Sequence, residues 1–446
     1  MCYYYKAIIW LYYQPLGLTQ YNNRIVLLFN LRVSVVKKRI VVYTGNHGSI
    51  DTLPVIAMAC MGVFRKMGYE VLPVYLNRSP QEIQEQANQA FAVKPSFVLT
   101  FGYTYWHDIK LPDGRGICDA LNIPLVIYGV DHPLLSQELS GYALPLQQTP
   151  NQNTRTLFVI SADARWSDFL KQHTTSDNSL SQSVFLPLLA LPSSNYPRLK
   201  PLQKRKEDIL FVGSIIPPDA WRQIWHQKLP ANLAKFIDDI VETHLSLSNN
   251  CDQLDNLIQN SLLANMPTLD IQLFTTIFSY AYSYIRFYHR YSLLTMLAKS
   301  HFPVCAHINQ PISANLPTST KFKIYPPTQF QKFVDLIANS QLVLTECSNF
   351  CHGGSERFFS TLLNSSVAVC NENPWLHDEF KSDKDAVFYS LGNLDELSNK
   401  LDNLFANPKE MSDLAISGQN KVMLTNTVEQ FVQKMLVCIE TFQNNI

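Results

Sequence analysis

The sequence predicts an α/β chain with two parallel-sheet domains, and three observations carry that expectation. Short apolar runs alternate with amphipathic stretches from residue 38 onward. The chain has 446 residues, and single cores stop growing at about 250–300 residues. A stretch rich in Pro, Ser, Lys and Arg, 191–206, separates two such alternating series. Strand–helix alternation at this spacing gives βαβ units, and these build parallel sheets.

In the first series, 39–43 reads as an apolar strand, followed by a helix over 53–67. Pro54 falls in that helix's first turn and Gly68 just past its end, the positions where each residue is tolerated best. Strands follow at 70–75, 96–100, 124–128 and 156–160, with helices at 80–91, ending near 121, and at 165–171. Ligands of such sheets collect at the carboxyl ends of the strands. The segments 45–49, 101–108 and 129–133 are therefore the places to look for a site. The second series starts with a strand over 208–212 that runs into Gly213 and Ser214. Residues 230–290 then read as helical throughout. Their aromatic stripe, Phe274, Phe278, Tyr282 and Ile285, falls at the spacing of a core face. Strands resume at 302–307, 323–325, 342–345 and 367–370, and the chain closes with an amphipathic helix over 427–442. The expected organisation is an atypical extension at 1–37, a first domain at 38–197, a second at 207–426 with a helical insertion about 230–290, and a terminal helix at 427–446.

Composition narrows the class. Apolar residues make up 46% and charged residues 16%, a globular balance. Lys plus Arg equals Asp plus Glu at 36 each, so no bulk field favours nucleic acid or an anionic membrane. Nucleic acid is not an expected partner. The apolar runs in 1–37 are interrupted at 20–24 and by Arg32 and fall short of the roughly 18 residues of a membrane span. An upstream start, a loosely attached strand and a membrane-touching segment all fit them. Nine cysteines are scattered without a framework, as expected of buried thiols in a reducing cytoplasm. Cys347, Cys351 and His352 cluster in sequence but lack a second ligand pair, so no metal is expected. No P-loop, no GxSxG elbow and no HExxH occurs; Asp238 and Asp239 are adjacent.

The densest chemistry lies in Asn349-Phe350-Cys351-His352-Gly353-Gly354-Ser355-Glu356-Arg357-Phe358-Phe359. It joins an apolar strand to an apolar helical pattern. A glycine-rich turn at a helix start presents backbone N–H groups and the positive end of the helix dipole, which suits phosphate. A carboxylate there can accept hydrogen bonds from sugar or ribose hydroxyls. Together these residues point to a nucleotide-sugar site.

Three blocks in this order resemble the GT-B superfamily of glycosyltransferases, most closely the CgeB-like branch of group 1. They are Phe211-Val212-Gly213-Ser214 followed by Arg222; the 349–359 segment with its Gly-x-x-Arg core; and a tail of Asn373-Pro374-Trp375-Leu376, Glu379-Phe380, 394–397, Asn407-Pro408 and Gly418. The resemblance covers about residues 200–440. It implies two Rossmann-like domains facing a cleft, with a nucleotide-diphosphate sugar as substrate, no cofactor, and a glycan, lipid or protein hydroxyl as acceptor. It implies a cytoplasmic setting with possible peripheral membrane contact. On this chain Gly213, Ser214, Gly353 and Gly354 would approach the donor phosphates through backbone N–H groups, and His352 and Ser355 would join them in binding the donor. Glu356 would bind hydroxyls, while Arg357 and Arg222 would offset phosphate charge. Ser360 and Ser365 stand where many relatives carry a glutamate and a glycine. That departure leaves room for a non-catalytic nucleotide-sugar-binding protein. A sugar-nucleotide epimerase of the same shape is a further alternative.

In the first domain, Asp131 and His132 follow a strand and are the candidates for taking the acceptor's proton, since histidine titrates near neutrality. Asp131 before His132-Pro133 equally fits a turn cap. His47, Trp106 and His107 sit after two other strands and are candidates for holding the acceptor.

Overall fold

A computed structural model of the chain describes residues 38–444, apart from 46–51, 103–108, 110, 136–154, 174–180, 248–253, 265–269, 309–315 and 317–318. The fold is carried by two six-stranded sheets. The first orders its strands β2-β1-β3-β4-β5-β6: β1 Arg39–Thr44, β2 Glu70–Tyr75, β3 Phe97–Phe101, β4 Leu125–Gly129, β5 Thr156–Ile160 and β6 Ser181–Phe185. The second runs β12-β11-β10-β7-β8-β9: β7 Glu207–Gly213, β8 Val304–Ile308, β9 Phe322–Tyr325, β10 Ser340–Thr345, β11 Val367–Asn371 and β12 Val387–Tyr389. Every pairing is parallel. β3, β4, β5 and β11 are buried along their whole length. Parallel strands covered on both faces read as unbroken apolar runs, which is why the pattern was so plain.

Helices cover the first sheet: α1 Thr52–Lys66, α2 Pro80–Ala90, α3 Ile117–Leu121 and α4 Ala164–His173. α2 starts on a capping box in which Ser79 accepts from Glu82 N and Glu82 accepts from Ser79 N. Before β8 the second half carries α5 Pro218–Lys228, α6 Ala231–Ser246, α7 Leu254–Leu263 and α8 Ile271–Lys299. Their apolar faces form a core of their own, with Trp225, Ile237, Phe274 and Phe278. Leu134, Leu135 and Phe169 of the first half pack into that core, so these helices bridge the halves. The remaining helices are α9 Phe330–Ala338, α10 Glu356–Leu363, α11 Pro374–Glu379, α12 Leu394–Ala406, α13 Pro408–Thr425 and α14 Val428–Asn444. Among the described residues no helix is long and apolar enough to cross a membrane.

The chain crosses between the halves twice. On the way out, Leu191 N donates to Ser360 Oγ (3.0 Å) and Ser193 N to Asn364 Oδ1 (2.8 Å), while Asn364 Nδ2 donates to Leu191 O (2.9 Å). On the way back, α14 buries Val428, Phe431, Val432, Met435 and Ile439, one stripe at helical spacing. Phe431 meets Tyr128 of β4 edge-on at 5.4 Å between centroids, so the last helix belongs to the first half's core.

α10 ends in a Schellman turn: Ser366 N donates to Thr361 O (3.1 Å) and Ser365 N to Leu362 O (2.9 Å). Ser365 therefore holds φ +54°, a left-handed conformation that a side chain disfavours by about 1–2 kcal/mol and glycine does not. Ser365→Gly is expected to stabilise the fold by about 1 kcal/mol, read as a higher urea midpoint at unchanged slope.

Candidate active site

The second sheet reverses its strand order between β7 and β10, and a crevice opens at the carboxyl ends of strands at such a point. The β10–α10 loop, 346–355, leaves this point and is held at each stage of its path. Glu346 is buried at 4% exposure and pairs with Arg290 of α8 at 2.8 Å. In mid-loop, Asp163 of the first half, fully buried, accepts from Cys351 N (2.7 Å) and His352 N (3.4 Å). Ala164 N donates in return to His352 O at 3.0 Å. Asn373 braces the loop from β11's side, its Nδ2 donating to Phe350 O and Gly353 O, each at 3.1 Å. Ser355 ends the loop as N-cap of α10, its hydroxyl accepting from Phe358 N.

Gly353 has a definite steric reason. A Cβ there would lie 2.0 Å from the carbonyl oxygen of Ala162. The glycine is what lets the two halves' backbones touch. At Gly354 the corresponding distances are 3.3 Å to Leu376 and 3.4 Å to Phe359, a tight fit rather than a clash.

Around this loop the structure collects charge from distant parts of the sequence. Arg290 also donates from Nη1 to Ser214 O at 3.1 Å, and Arg357 donates from Nη1 to Val212 O at 2.7 Å. Two guanidiniums thus hold the turn at Gly213 and Ser214. Burial alone would raise the Glu346 pKa. Arg290, the hydrogen bond from Ser348 and nearby His289 outweigh it and hold the carboxyl below its usual range. Glu356 lies 3.8 Å from Arg357 Nε. Arg286, one turn before Arg290 on α8, leans over Tyr282 and Phe287, and its Nε is buried without a hydrogen-bond partner among the described residues. Burial, then neighbouring Arg290, lower its pKa, while Tyr282, Asp131 and Glu346 pull the other way.

Asp131 meets this cluster from the first half, at the end of β4. The residue is solvent-exposed. Protein packed about the carboxyl raises its pKa; Arg286 opposes the rise and Glu356 adds to it. His132 points the other way. Its ring is 2% exposed among Trp166, Phe169, Phe278 and Tyr282, and its Nδ1 accepts from Leu134 N at 3.2 Å.

The site residues expected from sequence thus fall into groups. Gly213, Ser214, Glu356 and Arg357 gather with Asp131 around the crevice. His352, Gly353, Gly354 and Ser355 form the loop that docks on the first half. Arg222 is elsewhere: it faces Asp238 and Glu242, at 3.4 Å each, and Tyr284, so its charge is taken up by the helical bridge. His47, Trp106 and His107 lie outside the described residues. Arg286, Arg290, Glu346 and Asp163 did not emerge from the sequence. The two arginines stand four apart within a stripe that reads as core, and that spacing was the available signal.

No family profile matches the sequence, and no curated protein matches it. Similarity is found among solved structures. A sucrose-phosphate synthase from Thermosynechococcus elongatus superposes with TM-score 0.50 at 7% identity, over 92% of this chain and 100% of its own. An alpha-glucosyltransferase in complex with UDP and a 13-mer DNA containing a HMU base does so with TM-score 0.54 at 9% identity, over 91% and 99%. The same kind of enzyme with UDP-glucose and DNA containing an abasic site gives 0.50 at 9% identity, over 91% and 100%. At such identities the likeness shows the fold: this chain has the two-domain GT-B arrangement.

Two outcomes follow from the geometry. Gly353→Ala is expected to destabilise by about 1–3 kcal/mol through overpacking, seen as a lower melting temperature. Asp131→Asn is expected to melt higher than the parent at neutral pH. The folded-state pKa of Asp131 is raised, so the folded protein binds that proton more tightly and ionisation destabilises it as pH rises. The advantage of the variant should shrink in acid, below the ordinary carboxylate range, where both side chains are neutral.

Proposed function

We propose that this protein is a glycosyltransferase that moves a sugar from a nucleotide-diphosphate sugar to an acceptor hydroxyl. The observation that carries the reading is the charge cluster at the β7–β10 switch point. There Arg290 and Arg357 hold the turn at Gly213 and Ser214, Arg286 stands near Arg290, and Asp131 of the first half lies within reach of Arg286 and Glu356. Sugar transfer needs the leaving diphosphate stabilised and the acceptor hydroxyl relieved of its proton. Guanidinium groups suit the first task, since their planar fork bonds phosphate oxygens in pairs. Arg286, with an unused donor, is the group that reaches phosphate; Arg290 and Arg357 position the Gly213–Ser214 turn. These cations supply the charge a metal ion would otherwise bring, so the reaction is metal-independent. Asp131, with its raised pKa, is the proton acceptor, and Glu356 bonds donor hydroxyls. The resemblance to the CgeB-like branch and a cytoplasmic setting with peripheral membrane contact belong to this reading. The acceptor is a glycan, lipid or protein hydroxyl; DNA is tested beside them because the alpha-glucosyltransferase neighbours are held with it.

The test is calorimetric titration with UDP-, GDP- and CMP-sugars, followed by assays of nucleotide release with and without acceptor. One donor is expected to bind, and Arg286→Gln to weaken it about tenfold or more with the melting temperature unchanged. Asp131→Asn should keep donor affinity and lose about 100-fold in turnover, and turnover should persist in EDTA. No binding of any donor by the parent protein overturns the reading. A second reading, donor binding without transfer, is favoured by Ser360, whose buried hydroxyl is committed to Leu191 N. Binding with neither hydrolysis nor transfer would select it. Release of nucleotide diphosphate only in the presence of acceptor would set aside an epimerase.

A further inference from the structure

A second cavity, of about 850 Å³, lies on the other side of the switch point, over the carboxyl ends of β10, β11 and β12. Its wall is the end of α6 and one turn of α8, and its far rim is the start of α12. Neither the three cleft arginines nor Asp131 and Glu356 line it. Its size is that of a small-molecule site.

Its chemistry selects a ligand class. Among the described lining residues there is no lysine or arginine, while Glu372 and Asp395 stand exposed at the rim. An anion therefore meets repulsion and no counter-charge, which excludes a nucleotide or phosphate. His289, 7% exposed, has its pKa lowered first by burial, with Glu346 opposing, so its imidazole is neutral at neutral pH. One buried polar atom that lines the cavity is left without a partner among the described residues: His289 Nε2, in a residue 7% exposed. According to its tautomer it donates or accepts, and a buried polar group is costly until something pairs with it. A hydroxyl, which both donates and accepts, is the natural complement to either tautomer. Beside them Tyr288, 39% exposed, offers a ring against α8. Glu372 and His377, 3.5 Å apart, offer an acceptor and an imidazole at the opposite side. Acidic acceptors, imidazole groups and an aromatic face together match a ligand with many hydroxyls on one side and C–H surface on the other.

From this juxtaposition we propose that the cavity is a separate binding site for a neutral oligosaccharide. Tyr288 stacks on a sugar ring, Glu372 and Asp395 accept from its hydroxyls, and His289 bonds the hydroxyl that reaches deepest. The site does not depend on the transfer reading: it would hold a glycan even if the cleft bound no donor.

The experiment is titration of the full chain with maltohexaose, cellohexaose, chitohexaose and mannohexaose, followed by saturation-transfer NMR and calorimetry. At least one should bind saturably. Tyr288→Ala and Glu372→Ala should each weaken it about tenfold or more while melting temperature and nucleotide-sugar affinity stay as in the parent. Asp395→Ala, on a different element, provides a third check with the same expected direction. The proposal is overturned if none of the four binds, if binding survives all three substitutions, or if spermine competes the sugar out at lower concentration, which would mark a cation site. Failure here with donor binding intact would leave the cleft assignment standing. The reverse result would leave the glycan site standing alone.

Discussion

The carboxylate of Asp163 keeps the two halves of the molecule in register. It is fully buried, and it accepts two backbone amides from a loop of the other half, at residues 351 and 352. Hydrogen bonds to a charged acceptor are about twice as strong as neutral ones, and no water competes for this one. The close approach of Ala162 to Gly353 follows from the same contact. Because the loop is anchored there, its two ends are also fixed: Glu346 beside Arg290, and Glu356 at the head of α10.

α8 is the second organiser. Its 29 residues span about 44 Å at 1.5 Å per residue. One stretch of it presents Tyr282, Arg286, His289 and Arg290 at helical spacing, all along a single face. The aromatic part buries the helix against its neighbours, and that burial fixes where the basic part points. The arginines do different work. Arg290 is locked to Glu346 in a buried pair, the kind whose disruption by removing one partner costs about 3–5 kcal/mol. Arg286 has no such commitment at Nε. Substitution at position 290 therefore strands a buried carboxylate, whereas substitution at position 286 breaks no such pair at Nε.

The fold was legible because its signals are local. Apolar runs such as 97–101 and 125–129 are buried on both faces, Ser79 caps the helix it precedes, and the stripe from Phe274 to Ile285 is core. The site was only half legible, and the reason is range. Gly353 was recognisable as special, but the group that demands it, Ala162, lies in the other half. Arg222 stands close to Gly213 in sequence, yet its helix aims it at Asp238 and Glu242. Arg286 and Arg290 were hidden inside a pattern that tells which face of a helix is apolar but not what stands opposite it. His132 and Asp131 are adjacent in sequence and opposite in environment, one among aromatic rings and the other open to the cleft.

The two passages of the chain between the halves meet at one residue. Asn426 accepts from Ala190 N at 2.7 Å and donates from Nδ2 to Leu188 O at 2.9 Å, so the outgoing and returning strands are stitched to each other. Asn426 thus closes the whole second half, about 235 residues, into a loop fastened at its neck by two hydrogen bonds, so that the ends of that half are held side by side whatever happens beyond them.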